Sequence, residues 1–286
     1  AQLITVGSDF DNALSITAGL NSDDITATNF TKTLTVDVGS TAIAATNSIV
    51  GGTGNDDVFK FTGTNLSSLA NVSAMELYTA SADASSTITL ADGNLAASST
   101  TGKVDGSALT SSTSVFTVNA AAEADATSFT IIGGAGNDVI TISQIADSIS
   151  GGAGNDTFKT GTGTLLTSAD TIDGGAGTDD IYASDSHKLI DADFTKISNV
   201  ERITQISSAA MSMTLGVNAS TAGITDVVLA GINTDDTVTI GSDFANDLTV
   251  TYKSDDGSGN LDSSDASDTV ATNFTKKLTV DISSLV

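Results

Sequence analysis

Along much of the chain apolar residues alternate with threonine or serine. Leu34-Thr35-Val36-Asp37-Val38, Thr87-Ile88-Thr89-Leu90, Phe116-Thr117-Val118, Val139-Ile140-Thr141-Ile142 and Leu248-Thr249-Val250-Thr251-Tyr252 all read this way. A period of two puts every second side chain on one face, which is the pattern of a half-buried strand. Gly, Asn, Asp and Ser fill the gaps, so short strands joined by turns are predicted. No stretch has a clear helical period, although residues 65–77 have room for a turn or two. With aromatics at 5%, a thin core of Val, Ile, Leu and Ala between two sheets is expected.

Four of the turns are written alike. Gly-Gly-x-Gly-x-Asp occurs at 51–56, 133–138, 151–156 and 174–179, and an inward-pointing Val58, Ile140, Phe158 or Ile181 opens the strand that follows. Glycine admits φ > 0 and bares backbone carbonyls, while Asp adds a charged oxygen. Gly133 and Gly151 stand two nonapeptides apart, which makes one lap of strand, turn, strand, turn. Loops one lap apart stack. A hard ion such as calcium takes roughly 6–8 oxygens, more than one loop offers, so it belongs between stacked loops, with Asp138 and Asp156 as the favoured pair. Gly174 follows Gly151 by two nonapeptides and five further residues, and joins this column if the lap bulges by that much within 161–170. Gly51 stands apart. Were laps of two nonapeptides general, roughly 16 of them at about 4.8 Å would give a rod on the order of 75 Å.

These loops resemble those of RTX-type (repeats-in-toxin) secreted calcium-binding proteins. The Thr/Ser/Ala-rich strands between sparse motifs are most similar to bacterial surface-layer proteins of that group. The resemblance implies an all-β fold, a parallel β-solenoid (β-roll or β-helix) with calcium-binding glycine-rich loops. It also implies type I export and an extracellular, cell-surface location. By the family pattern Ca2+ is held by the carboxylates of Asp56, Asp138, Asp156 and Asp179. Loop positions Gly51, Thr53, Gly133, Ala135, Asn137, Gly151, Ala153, Asn155, Gly174 and Ala176 complete the set, the glycines and alanines through their carbonyls. The motifs are few and interrupted, so one or two strong sites plus degenerate ones are expected rather than a long uniform column.

The chain also repeats itself on a larger scale. Residues 48–59 match 171–182 at an offset of 123, and Val72-Ser73-Ala74-Met75-Glu76 matches Ile197-Ser198-Asn199-Val200-Glu201 at an offset of 125. A solenoid tolerates such drift at its turns. Val6-Gly7-Ser8-Asp9-Phe10 returns as Ile240-Gly241-Ser242-Asp243-Phe244, and residues 28–37 return at 272–281, with a ten-residue insertion falling in 254–267. One continuous solenoid is expected, divided into a partial repeat 1–46 and repeats 47–170 and 171–286. Phe10, Phe30, Phe244 and Phe274 are expected as core plugs at the equivalent elements. Asp23-Asp24 and Asp235-Asp236 read as decayed loop copies that mainly turn the chain.

Charge narrows the partners. The formal net charge is −25, with 10 basic residues, so the bare chain repels itself and bound divalent cations relieve the repulsion. Only three of the 35 acidic residues are Glu (Glu76, Glu123 and Glu201); the rest are Asp, the shorter carboxylate that suits tight loops. No basic stripe exists to neutralise phosphates, which excludes nucleic acid as a partner. No apolar run approaches the roughly 20 residues of a membrane helix, so membrane insertion is not expected. There is no cysteine and no proline. The tail 281–286 is similar to type I secretion signals, and reads equally as a strand ending.

Enzyme chemistry has little to work with. His187 is the only histidine, in a polar turn, and no His-Glu-x-x-His, Gly-x-Ser-x-Gly or cysteine nucleophile occurs. The expectation is a non-enzymatic extracellular structural protein that self-assembles in calcium as a surface-layer or filament subunit, with cell-surface polysaccharide as a further partner. The alternative is a repeat segment of a calcium-stabilised adhesin that binds cells or glycans.

Overall fold

The computed structural model describes residues 3–18, 24–41, 43, 47–54, 56–63, 65–66, 69–94, 102–124, 128–161, 166–183, 188–205, 212–229, 237–252, 268–271 and 274–281. His187, the insertion 254–267, the tail 282–286 and most of the two decayed loop copies lie outside them. The chain forms two compact units, Ala1–Gly154 and Asn155–Val286. Each unit is an all-β parallel solenoid.

In the first unit a long ladder runs through Leu14–Thr17, Leu34–Asp37, Val58–Phe61, Leu77–Ala80, Gly102–Asp105, Phe129–Ile132 and Asp147–Ala153. A second ladder holds Leu3–Thr5, Asp24–Thr26, Ile49–Val50 and Val72–Ser73. A third holds Asn65–Leu66, Ser86–Thr89, Phe116–Asn119 and Val139–Thr141. Register keeps like over like: Val36, Phe59, Tyr78, Val104, Ile131 and Ile149 form one inward column, all buried. Their Thr and Lys neighbours point outward, as the period of two requires.

The second unit repeats the plan. One ladder runs through Thr157–Lys159, Asp180–Ala183, Arg202–Gln205, Asp226–Leu229, Leu248–Tyr252 and Leu278–Asp281, with Phe158, Ile181, Ile203, Val227 and Val250 as its buried column. Thr171–Ala176 pairs Ile197–Ser198, and Ser212–Leu215, Thr237–Ile240 and Asp268–Ala271 form a third ladder.

Three expectations need correction. The step of two nonapeptides, seen again where Phe129 pairs Asp147, is a local one. Ser86 pairs Phe116 and Thr237 pairs Asp268, steps more than half as long again. Ladder pairing fixes the strands and leaves turn length free, so laps swell at their corners and the 16-lap rod does not hold. The core is also richer in rings than composition implied. Phe30, Phe59, Phe61, Phe116, Phe129, Phe158, Phe194, Phe244 and Tyr78 are all fully buried, and rings meet in pairs such as Phe59–Tyr78 at 5.6 Å and Phe61–Phe116 at 6.2 Å. Few aromatics suffice because most of them point inward.

The helix, finally, lies at Val217–Ala222, while among the described residues of 65–77 Asn65–Leu66 and Val72–Ser73 are strands. The Asp191 carboxylate accepts the amides of Gly216 at 2.8 Å and Ala219 at 2.9 Å, satisfying N–H groups that a helix start leaves open. Gly223, at φ 115, ends it.

Candidate calcium loops

In the first unit loop 133–138 lies directly against Gly151–Gly154. Ala153 donates its amide to the Gly134 carbonyl at 3.0 Å, and Gly133 donates to Ser150 at 2.8 Å. A Cβ added at Gly133 would stand 2.1 Å from the Gly151 carbonyl oxygen, and one at Gly152 would stand 2.1 Å from that of Gly134. Backbone therefore stacks on backbone with carbonyls between, which only glycine permits. Gly152 and Gly154 also hold φ 110 and 113, a region that L side chains avoid.

The loop aspartates share one geometry. Asp138 is buried; its Oδ1 accepts the Phe116 amide at 2.7 Å, and its Oδ2 accepts the amide of Gly134 in its own loop. In loop 51–57 this place belongs to Asp57 and not to Asp56. The Oδ1 of Asp57 accepts the Leu34 amide at 2.7 Å and its Oδ2 the Gly52 amide, whereas Asp56 is exposed. This loop is one residue longer than its relatives, and strand parity decides the matter. Phe59, not Val58, points inward, so Asp57 takes the turn-closing position. Thr53 is exposed there and donates its amide to Phe30.

In the second unit Asp179 Oδ1 accepts the Asp156 amide at 2.7 Å, and Asn155 Oδ1 accepts the Thr178 amide at 2.9 Å. These two side chains bind loop 174–179 to the lap before it. Asp156 and Asp179 are both buried, and Gly175 and Gly177 have φ 101 and 143. A Cβ at Gly174 would lie 1.9 Å from the Asn199 carbonyl oxygen and 2.5 Å from Asp179 Oδ2. That Oδ2 atom is buried without a hydrogen-bond partner. Of the remaining loop positions, Gly51, Gly133, Gly151 and Gly174 are buried, Ala135 is half-buried, and Ala153, Ala176, Asn137 and Asn155 are exposed. Asp138 belongs to the first unit and Asp156 to the second.

Burial pushes the carboxyls of Asp57, Asp138 and Asp179 above the usual range, against the pull of the amides they accept. Glu201 and Asp173 raise Asp179 further. Glu76 is pushed up to about 7, first by burial and then, against the amide of Asp57 that it accepts, by the charges of Asp57 and Asp56. Buried anions facing one another without a cation make a poor metal-free arrangement. Among the described residues no three acidic or histidine side chains converge, so a metal here would draw on one or two carboxylates and backbone carbonyls. All-oxygen donors of this kind, with an orphaned carboxylate oxygen beside a glycine cradle, fit calcium.

A model of the RTX calcium-binding nonapeptide repeat, in four copies, matches residues 130–141, 146–164 and 166–186. The matched segments take in loops 133–138, 151–156 and 174–179, under a fifth of the chain, and leave out loop 51–57. No curated protein and no solved structure matches the chain. Fold and loops together define a β-solenoid that carries RTX-type calcium-binding repeats. Calcium is the ion these repeats bind.

Sequence reading missed Asp57, the left-handed residues Ala74 and Asn199 at φ 57 and 53, and the capping by Glu76 and Glu201. Their one signal was the recurrence of Glu at the same place in both repeats.

Proposed function

We propose that this chain is an extracellular, non-enzymatic structural solenoid, exported and then folded in calcium, that assembles with copies of itself into a surface layer or filament. The observation that carries the reading is the set of buried loop carboxylates, Asp57, Asp138, Asp156 and Asp179, in a chain of net charge −25. Metal converts that set from a liability into a series of clamps, so folding waits for a calcium-rich exterior. The loop oxygens of Gly133, Ala135, Asn137, Gly151, Ala153, Asn155, Gly174 and Ala176, with Gly51 and Thr53 in the first loop, are the remaining candidate donors.

Assembly draws support from exposed apolar side chains. Leu3, 70% exposed, and Phe10, 44% exposed, are large apolar side chains that a second copy would cover. Electron microscopy in calcium and in chelator tests the reading. Ordered arrays that form in calcium and dissolve in chelator are expected. Arrays indifferent to chelator refute the calcium requirement, and glycan or cell binding without arrays replaces assembly by the adhesin reading.

A further inference from the structure

Two laps without a glycine motif carry the same constellation. In the second unit Asn199, left-handed at φ 53, turns its carbonyl oxygen onto Gly174, where Asp179 Oδ2 also points. Asn199 is held there by its Nδ2, which donates to Asp173 Oδ1 at 2.7 Å. Glu201 reaches the same loop, its Oε2 accepting the Asp179 amide at 2.8 Å. In the first unit Ala74, at φ 57, sets its carbonyl oxygen 1.8 Å from the Cβ position of Gly51, with Asp57 Oδ2 2.9 Å from that point. There Glu76 Oε2 accepts the Asp57 amide at 2.8 Å.

In each constellation a buried carboxylate oxygen is left over, on the loop Asp in the second unit and on the Glu in the first, where Asp57 Oδ2 accepts the Gly52 amide. Asp179, 0% exposed, has Oδ2 without a partner, and Glu76, 6% exposed, has Oε1 without one. Capping an amide needs one neutral acceptor, which glutamine supplies. Capping therefore does not explain the second charge, which at Glu76 is buried beside Asp57 and at half-exposed Glu201 lies next to buried Asp179 with its unpartnered Oδ2, whereas a cation does. In both laps the left-handed residue is the one whose carbonyl oxygen lies over the glycine.

We infer that 72–76 and 197–201 complete two further calcium sites, each formed between a glycine loop and a lap that has no motif of its own. The donors are Asp179 Oδ2, the Asn199 carbonyl and the Glu201 carboxylate in the second unit, and Asp57, the Ala74 carbonyl and the Glu76 carboxylate in the first. The inference rests on the calcium reading of the loops and extends it one lap beyond them.

Glu201→Gln and Glu76→Gln keep the capping oxygen and remove the charge. Calcium titration of the full chain by calorimetry, with bound metal counted, is expected to show one ion fewer for each variant, or one step weakened by about tenfold or more, with calcium-saturated β structure retained. Unchanged stoichiometry and affinity in both variants overturn the inference. Asp156→Asn serves as the control: if it loses an ion while the Glu variants lose none, the loop reading stands and this one falls, and if the unaltered chain binds no calcium, both fall. Should a variant fail to fold, terbium-grown crystals of the unaltered chain decide. Anomalous density between Asp179 Oδ2 and the Asn199 carbonyl supports the site, and its absence beside metal-filled motif loops overturns it.

Discussion

Asp179 accepts the amide of Asp156, 23 residues earlier, at 2.7 Å, and its own amide is accepted by Glu201, 22 residues later, at 2.8 Å. Leu34, Asp57 and Glu76 form the same chain of caps in the first unit. A side chain in this place ties one lap to the next and turns a second oxygen toward the glycine loop. The two tasks separate by mutation. Asp179→Ala leaves a buried amide without its acceptor and should lower stability by about 1–3 kcal/mol. Asp179→Asn keeps an acceptor and should cost less, while both lose calcium. Melting curves in calcium, set beside ion counts, check this.

Glycine positions should rank by what stands beside them. Gly133→Ala and Gly152→Ala drive a methyl against backbone 2.1 Å away, whereas Gly7 has nothing within 4 Å. The first two are expected to cost more than about 3 kcal/mol, beyond the usual range for overpacking because backbone cannot step aside. Gly7→Ala should fall within about 0.5 kcal/mol of the parent. Denaturant midpoints in calcium decide it.

Acid should stabilise the metal-free chain. Asp57, Asp138, Asp179 and Glu76 have folded-state pKa values above their ordinary ones, Glu76 at about 7. The folded state therefore holds protons more tightly than the unfolded state. Its penalty is complete above the raised values and fades as pH falls toward the ordinary carboxylate range. In chelator, β circular dichroism should be weak near pH 8 and grow toward pH 5; in saturating calcium it should change little over that window. A metal-free signal that falls on acidification contradicts this.

The only arginine, Arg202, donates its Nε to Asp180 Oδ2 at 2.7 Å, and Thr204 Oγ donates to the same oxygen. In register Arg202 sits between Asp180 and Asp226. Asp180 is buried and Arg202 half-exposed. Arg202→Met should strand the Asp180 charge and cost about 1–3 kcal/mol, and adding Asp180→Asn should return part of the loss. A double-mutant cycle in melting temperature measures the coupling.

How much of this could be read from the chain alone follows from what each pattern encodes. Alternation in 34–38, 116–118, 139–142 and 248–252 fixes which residues face inward, and each became a strand in a parallel ladder. The spacing of two nonapeptides from Gly133 to Gly151 correctly announced stacked backbone. It said nothing of lap length elsewhere, because turns that make no ladder contact are free to grow. Asp56 fitted the motif as letters, but Phe59 takes the inward place expected of Val58, and that shift in parity hands the turn to Asp57. The helix at Val217–Ala222 escaped because its support, the Asp191 carboxylate, comes from 25 residues upstream of Gly216 and leaves no local pattern.

Two phenylalanine pairs at equivalent places show what one neighbouring lap changes. Phe10 and Phe30 meet at 6.2 Å, Phe244 and Phe274 at 6.0 Å, yet Phe10 is 44% exposed and its counterpart Phe244 only 1%. A lap covering Phe10 as Phe244 is covered would recover on the order of 1 kcal/mol from that single ring. The difference between the two rings measures what one lap of cover contributes to a solenoid core.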